Sequence, residues 1–260
     1  MHSTDAPPLT EHAKLNRFAI RCFRDTGDTD YIAARLAMRA RLGEPFLWSG
    51  QQAVEKYLKC ILMLNRHATG KLGHNLRLAL NRVDELLPFE INLSDDEEAI
   101  FKHLDNWSAD RYLLNSYVLR ERHVLQLDKL VWKLRQYCRP LDVRHYADPP
   151  CPTVLLENAC RVKAGMSGSP KDGYLQGGKL ERILENKQHP ARSAIVWKNQ
   201  YYGSRNRKNI LVSTGAHAEN SPLWLYPELV DEAANWMKID HKYKAAAKAL
   251  IMKRKCSTKT

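Results

Sequence analysis

The chain has 260 residues, 44% of them hydrophobic, and 41 Lys+Arg against 29 Asp+Glu give it a net charge of +12. That is enough length and apolar content for one large or two modest domains with buried cores. The longest apolar run, Cys60 to Leu64, is far too short to span a bilayer, so no membrane role is expected. Six cysteines include no Cys-x-x-Cys pair, so the sequence offers neither a clustered zinc site nor a cofactor motif. The first residues lack a basic-then-apolar signal; free thiols and a cytoplasmic location are the expectation.

The charge is uneven. Residues 1–150 carry a net +2 and residues 151–260 a net +10. A basic segment of this kind favours a polyanion, most often nucleic acid, through phosphate contacts and counterion release. The alternative is a solvated face that keeps the protein soluble.

In chain order, residues 1–9 read as a disordered start. Thr10 can cap a helix running to Arg24, and Thr26 to Asp28 read as a break. Asp28 or Thr29 can cap a second helix carrying Tyr31, Ile32, Leu36 and Met38. Gly43 and Pro45 separate it from a central helix whose apolar face is Val54, Tyr57, Leu58, Ile61 and Leu62. Gln51, Gln52, Glu55, Lys56 and Lys59 fall on the other side, and Glu55 precedes Lys59 by four residues, the favourable order for a helical ion pair. Gly70 and Gly73 suit a turn, and His74 and Asn75 open the next helix. Ser94 caps a helix to about Trp107, with Asp95, Asp96 and Glu97 complementing its positive end. A last helix covers roughly Leu119 to Cys138, with Val124, Leu127, Leu130, Val131 and Leu134 facing inward, and Pro140 ends it. Helices, short loops and no strand signal over residues 10–140 predict an antiparallel bundle.

Residues 141–176 are Pro- and Gly-rich and read as a linker, with room for one short helix from Thr153 to Lys163. Residues 177–260 read as a smaller, basic α+β region. It starts with a helix bearing Leu180, Ile183 and Leu184. Strand-like stretches follow at Ser193 to Tyr202 and Asn209 to Ser213, around a Gly203 to Lys208 tip. A helix from Pro227 to Met237 and a Lys- and Ala-rich helical tail complete it.

Gln51 to Lys59 (QQAVEKYLK) followed by His74 to Leu76 (HNL) resembles the HEPN family, the higher eukaryotes and prokaryotes nucleotide-binding domain. Asp30 to Arg35 (DYIAAR) and Ala109 to Tyr112 (ADRY) match its usual layout, so the likeness covers about residues 10–140. The resemblance implies a helical bundle and frequent homodimers. It also implies a family that includes RNases, toxin components and non-catalytic members. HEPN ribonucleases carry an arginine, four to six intervening residues and then a histidine, near the start of the last bundle helix. That pair suits metal-independent RNA cleavage.

Arg111 has no histidine at that spacing. Arg139 with His145, and Arg182 with His189, have the spacing but lie outside the expected place. Arg120 and His123, beside Arg122, are the partial substitute: one helical turn could aim them at the same phosphate. His74 is expected to bond or cap the helix that it opens. For binding, the candidates are Trp197, Lys198, Tyr201, Tyr202, Arg205, Arg207 and Lys208. Aromatic faces there could stack on unpaired bases while cations meet phosphates, unless the rings pack inward. The expected function is therefore non-catalytic binding of RNA or nucleotide-bearing partners. A HEPN ribonuclease of a toxin or phage-defence system, and a dimerising interaction module, are the alternatives.

Overall fold

The structure, a computed structural model, describes residues 9–87, 89–107, 114, 116–141, 145, 152–167, 170–203 and 210–257. It is mainly helical, with a two-stranded antiparallel sheet. Thr10 caps α1 (Glu11–Ala19) by accepting from the Ala13 amide at 3.2 Å. The expected break at Thr26 to Asp28 is absent: α1 runs through a π-helical turn (Ile20–Arg24) directly into α2 (Asp25–Arg39). The local polar groups do not compete with the helix here. Thr26 and Thr29 return their hydroxyls to the Cys22 and Asp25 carbonyls, four residues back, and Asp28 is claimed by buried partners from other helices. Gly27 permits the close approach of α2 to α3; a Cβ there would lie 3.2 Å from Tyr57 Cε1 and 3.3 Å from the Ala53 carbonyl oxygen.

The central helix, α3 (Gly43–Leu64), begins earlier than its apolar periodicity suggests. Pro45 sits in its first turn, where a missing amide costs no helical bond. Val54, Leu58 and Ile61 are fully buried, as their spacing requires, and meet Leu127 and Leu134 of α6 in one core. The polar side of α3 is not all surface. Gln51 and Glu55 are buried, because Glu55 accepts from Gln51, Lys59 and His74. Burial works against its charge, but those three bonds hold its carboxyl below the usual carboxylate range. Gly73 takes a left-handed conformation, φ +55°, and Asn75 caps α4 (Leu76–Leu86) through the Leu78 amide at 2.7 Å. Glu97 closes the start of α5 (Asp95–Trp107) by accepting from both the amide and the hydroxyl of Ser94.

Two expectations fail after α5. Leu119 and Arg120 are strand, not helix: β1 (Tyr117–Arg120) precedes α6 (Arg122–Tyr137). Its partner is β2 (Ala216–Glu219), nearly a hundred residues on, in a register that sets Tyr117 opposite Glu219 and Arg120 opposite Ala216. A four-residue strand with so distant a partner leaves no local signal. Likewise Ser193 to Tyr202 is no strand but α9 (Arg192–Val196) and a turn, and residues 210–213 form no regular element.

The segment read as a linker holds α7 (Pro152–Ser167), longer than the expected Thr153 to Lys163. Then α8 (Lys179–Glu185) and α9 dock on the bundle: Leu180, Ile183, Ala194, Ile195 and Tyr202 belong to the same core as α3 and α6. A second, smaller core joins Leu223 of α10 (Pro222–Leu225), Val230 of α11 (Val230–Ala233), Ile239, and Tyr243 and Ala247 of α12 (His241–Ser257). The expected helix from Pro227 to Met237 is a 3-10 turn followed by the short α11. No helix among the described residues is long and apolar enough to cross a membrane.

Arg135 of α6 is fully buried between Asp28 of α2 and Glu181 of α8, with four guanidinium bonds of 2.8–3.0 Å. Replacing it with Leu strands two buried carboxylates and should cost about 3–5 kcal/mol, read as a fall in the denaturant midpoint. Pairing Arg135→Leu with Asp28→Asn should recover part of that loss. Leu58→Asp, which places a lone charge in the same core, should abolish the cooperative thermal transition.

Candidate nucleic-acid interface

The ends of α5 and α12, strand β1 and the first turn of α6 enclose a cleft of about 720 Å³. Its lining includes His103, Arg120, Arg122, His123 and Lys242. Sequence reasoning singled out Arg120 and His123, beside Arg122; the structure brings them together with His103 from earlier in the chain and Lys242 from much further along. The turn from β1 into α6 fixes the geometry: the Arg120 amide donates to His123 Nδ1 at 3.3 Å. That bond leaves the imidazole proton on Nε2. The His103 ring lies 5.0 Å from the His123 ring, and its own Nε2 is buried with no hydrogen-bond partner. Arg120, Arg122 and Lys242 are exposed, and among the described residues none of the three is ion-paired. The Lys242 ammonium rests 4.7 Å from the centre of the Tyr243 ring.

The electrostatics follow from this crowding of donors. Burial, then His103, Arg122 and Arg120, push the His123 imidazole down to about 4; burial alone lowers His103. Both rings are therefore neutral at pH 7, and among the described residues three cations and no carboxylate line the cleft around them. An anionic oxygen in the cleft would meet cations and two imidazole groups, and it would raise both histidines by reversing the sign of the local field.

The other sequence candidates fall elsewhere. Arg139 is buried and donates to Gln136, whereas the His145 carbonyl accepts from Asn16 and Arg66 and its ring lies against His12, so that pair does not converge. Arg182 holds the Gly177 carbonyl, and His189 accepts from the Ala191 amide; both stabilise local turns. His74 bonds Glu55 of α3 at 2.9 Å rather than the helix that it opens, whose cap is Asn75.

The aromatic run is not the stacking surface that its composition suggested. Tyr202 is 1% exposed and its hydroxyl meets Arg135 at 2.7 Å, while Tyr201 stacks on Trp132 at 5.3 Å. Trp197 is half-buried with its carbonyl taken by Arg35, and Lys198 pairs with Glu121 at 2.6 Å. These rings pack inward because the polar groups of α2 and α6 bind the backbone and hydroxyls around them. Arg205, Arg207 and Lys208 lie outside the described residues, as do Arg111 and the Ala109 to Tyr112 stretch.

His103 and Lys242 were missed. His103 is a single histidine between the core residues Phe101 and Leu104, and Lys242 is one lysine of a lysine-rich tail. Neither carries a local signal, since the cleft exists only once β2 brings α12 beside α5. No group of three or more His, Cys, Asp or Glu side chains among the described residues is placed to hold a metal ion. Comparisons with protein-family models, with curated proteins and with solved structures returned no match.

The depressed His123 value makes a prediction about pH. The folded state resists protonating this ring, so the unfolded state binds the proton first and stability falls as pH drops from about 6.5 towards about 4. Melting temperatures measured across that window should fall less steeply in His123→Asn than in the wild type.

Proposed function

We propose that the chain is a HEPN-like protein that binds RNA or another phosphate-bearing partner through the cleft between α5, β1, α6 and α12. The observation that supports this reading most is a set of three cations, Arg120, Arg122 and Lys242, that form no ion pair among the described residues and stand around two neutral imidazoles in a chain of net charge +12. A phosphate there gains charge-assisted hydrogen bonds without first breaking a protein ion pair. The test is a salt titration of single-stranded RNA binding. Wild-type affinity should fall steeply with salt, and Arg122→Ala with Lys242→Ala should weaken binding and flatten the slope by about one unit per lost phosphate contact. Binding should also tighten as pH falls from about 6.5 towards about 4, because a bound phosphate raises both histidines and so takes up protons. Equal affinity and slope in the wild type and the double variant would remove the cleft from the binding surface.

A second reading, metal-independent RNA cleavage, has a specific observation in its favour: the His103 and His123 rings are 5.0 Å apart beside Arg120. A neutral imidazole can take the proton of a 2′-hydroxyl as its oxygen attacks the adjacent phosphorus; the P–O5′ bond breaks, the imidazolium so formed gives that proton to the leaving 5′-oxygen, and arginine can neutralise the charge that develops on the phosphoryl oxygens. Cleavage that persists in a chelator and disappears in both His123→Ala and His103→Ala would establish this reading. Binding without cleavage leaves the first. Homodimers, and a place in a toxin or defence system, belong to the proposal only through the resemblance to the HEPN family.

A further inference from the structure

The histidine cleft does not end at α12. A second cavity of about 370 Å³ lies against it, and the two share Ser116, Tyr243 and Ala246 in their walls. This second compartment has a different chemistry. Leu114, Leu223, Ala247 and Leu250 make it apolar, the Trp224 ring forms part of its side, and Lys253 stands at its edge. Trp224 is 46% exposed yet firmly placed. Its amide is held by the Ser221 hydroxyl at 3.0 Å in the cap of α10, and the Arg254 guanidinium lies 5.5 Å from its ring centre. A cationic, histidine-lined compartment therefore adjoins an apolar one walled by a partly exposed indole.

We infer that this second compartment takes an unpaired nucleobase of a single-stranded polynucleotide whose backbone phosphate occupies the histidine cleft. The inference rests on the phosphate-binding reading above and extends it to a substrate class. Alternation of charge and flat apolar surface is the pattern of a polynucleotide strand, with phosphates on one side and bases on the other. The cavity volume suits one base and lies at the low end for ligand pockets, about 300–1,000 Å³. A helix of a partner protein, about 10 Å across with its side chains, is a poorer fit to such a volume. The surroundings are basic as well: Lys242, Lys253 and Arg254 flank the compartment, so an anionic strand matches it in charge. In a duplex the bases are paired and stacked, so that class is excluded by shape. Trp224 supplies stacking, Arg254 lies 5.5 Å from its ring centre, and Ser116 and Ser221 belong to the wall, their hydroxyls accepting from the Ser221 and Trp224 amides.

The experiment uses the full chain and four probes: a single-stranded RNA oligomer, the DNA oligomer of the same sequence, an abasic strand of the same length, and the matching duplex. Inorganic pyrophosphate reports the phosphate site alone. The wild type should bind the base-bearing single strands more tightly than the abasic strand and the duplex. Trp224→Ala should weaken base-bearing strands roughly 5- to 150-fold, the range of one stack worth about 1–3 kcal/mol, down to the abasic level. It should leave pyrophosphate affinity, abasic affinity and the salt slope unchanged, and Trp224→Phe should restore most of the loss. Melting of both variants is measured alongside; a Trp224→Ala chain that fails to fold passes the test to Trp224→Phe and to the wild-type preference over the abasic strand. Wild-type binding that ignores the bases, or base-bearing strands that bind Trp224→Ala as well as wild type, would overturn the inference and leave the phosphate site intact. Pyrophosphate that binds wild type and the Arg122→Ala, Lys242→Ala variant equally would instead overturn the phosphate-binding reading. The RNA and DNA arms then show whether a 2′-hydroxyl contributes.

Discussion

Arg135 is the constraint on which the rest of this molecule depends. It is a cation with no exposed surface, placed among helices α2, α6 and α8. A charge in that position is tolerable only if every donor is matched, and each is: Asp28 takes the Nε and one terminal nitrogen, Glu181 takes both terminal nitrogens, and the Tyr202 hydroxyl completes the set. Burial opposes its charge, but Asp28, Tyr202 and Glu181 outweigh it and hold the guanidinium well above its ordinary range. A second buried arginine repeats the device: Arg35 pairs with Asp128 and binds the carbonyls of Ala194 and Trp197. Together they fasten residues 181–202 to the bundle through polar groups as well as apolar ones.

That fastening determines what the molecule can offer at its surface. With Tyr202 taken by Arg135 and Tyr201 stacked on Trp132, the aromatic run after α9 is used for cohesion, not recognition. The chain then returns as β2, whose antiparallel pairing with β1 places α10 to α12 beside the start of α6. The cationic cleft is a product of this return. Its histidines come from the bundle, its arginines from the strand-to-helix turn, and its lysine from the last helix. A short sheet that contributes little core thus positions the groups with the most chemical potential.

The balance of charge in the cleft is also a tertiary effect. Arg120 and Arg122 follow the same strand-to-helix turn as His123, so a modest cation–imidazole repulsion is written locally. His103 and burial add the remainder, and they come from the packing of α5 against α6. The result is a site rich in donors and lined by no carboxylate among the described residues, a state that lowers stability as the histidines are asked to protonate.

The sequence by itself determined the helices and their inward faces. Val54, Leu58, Ile61, Leu127 and Leu134 recur at helical spacing and are all buried, because the period of the backbone alone decides which side chains share a face. Thr10, Asn75 and the Ser94 and Glu97 pair were legible as helix starts for a similar reason: a cap satisfies amides only three residues away. Arg120 and His123 were legible as neighbours because a single turn joins them. The tertiary structure alone decided what depended on distant partners. Asp28 looked like a helix breaker and is a buried counter-ion; Glu55 looked like surface and is a buried acceptor. The β-branched and aromatic stretch from Ser193 looked like a strand, yet buried arginines bind its carbonyls and hydroxyls and hold it as a short helix and turn. Leu119 and Arg120 became strand because β2, far along the chain, supplies the hydrogen bonds that a helix would otherwise provide. His103 and Lys242 joined the cleft by the same long-range pairing, a relation between residues more than a hundred positions apart that no local pattern can carry.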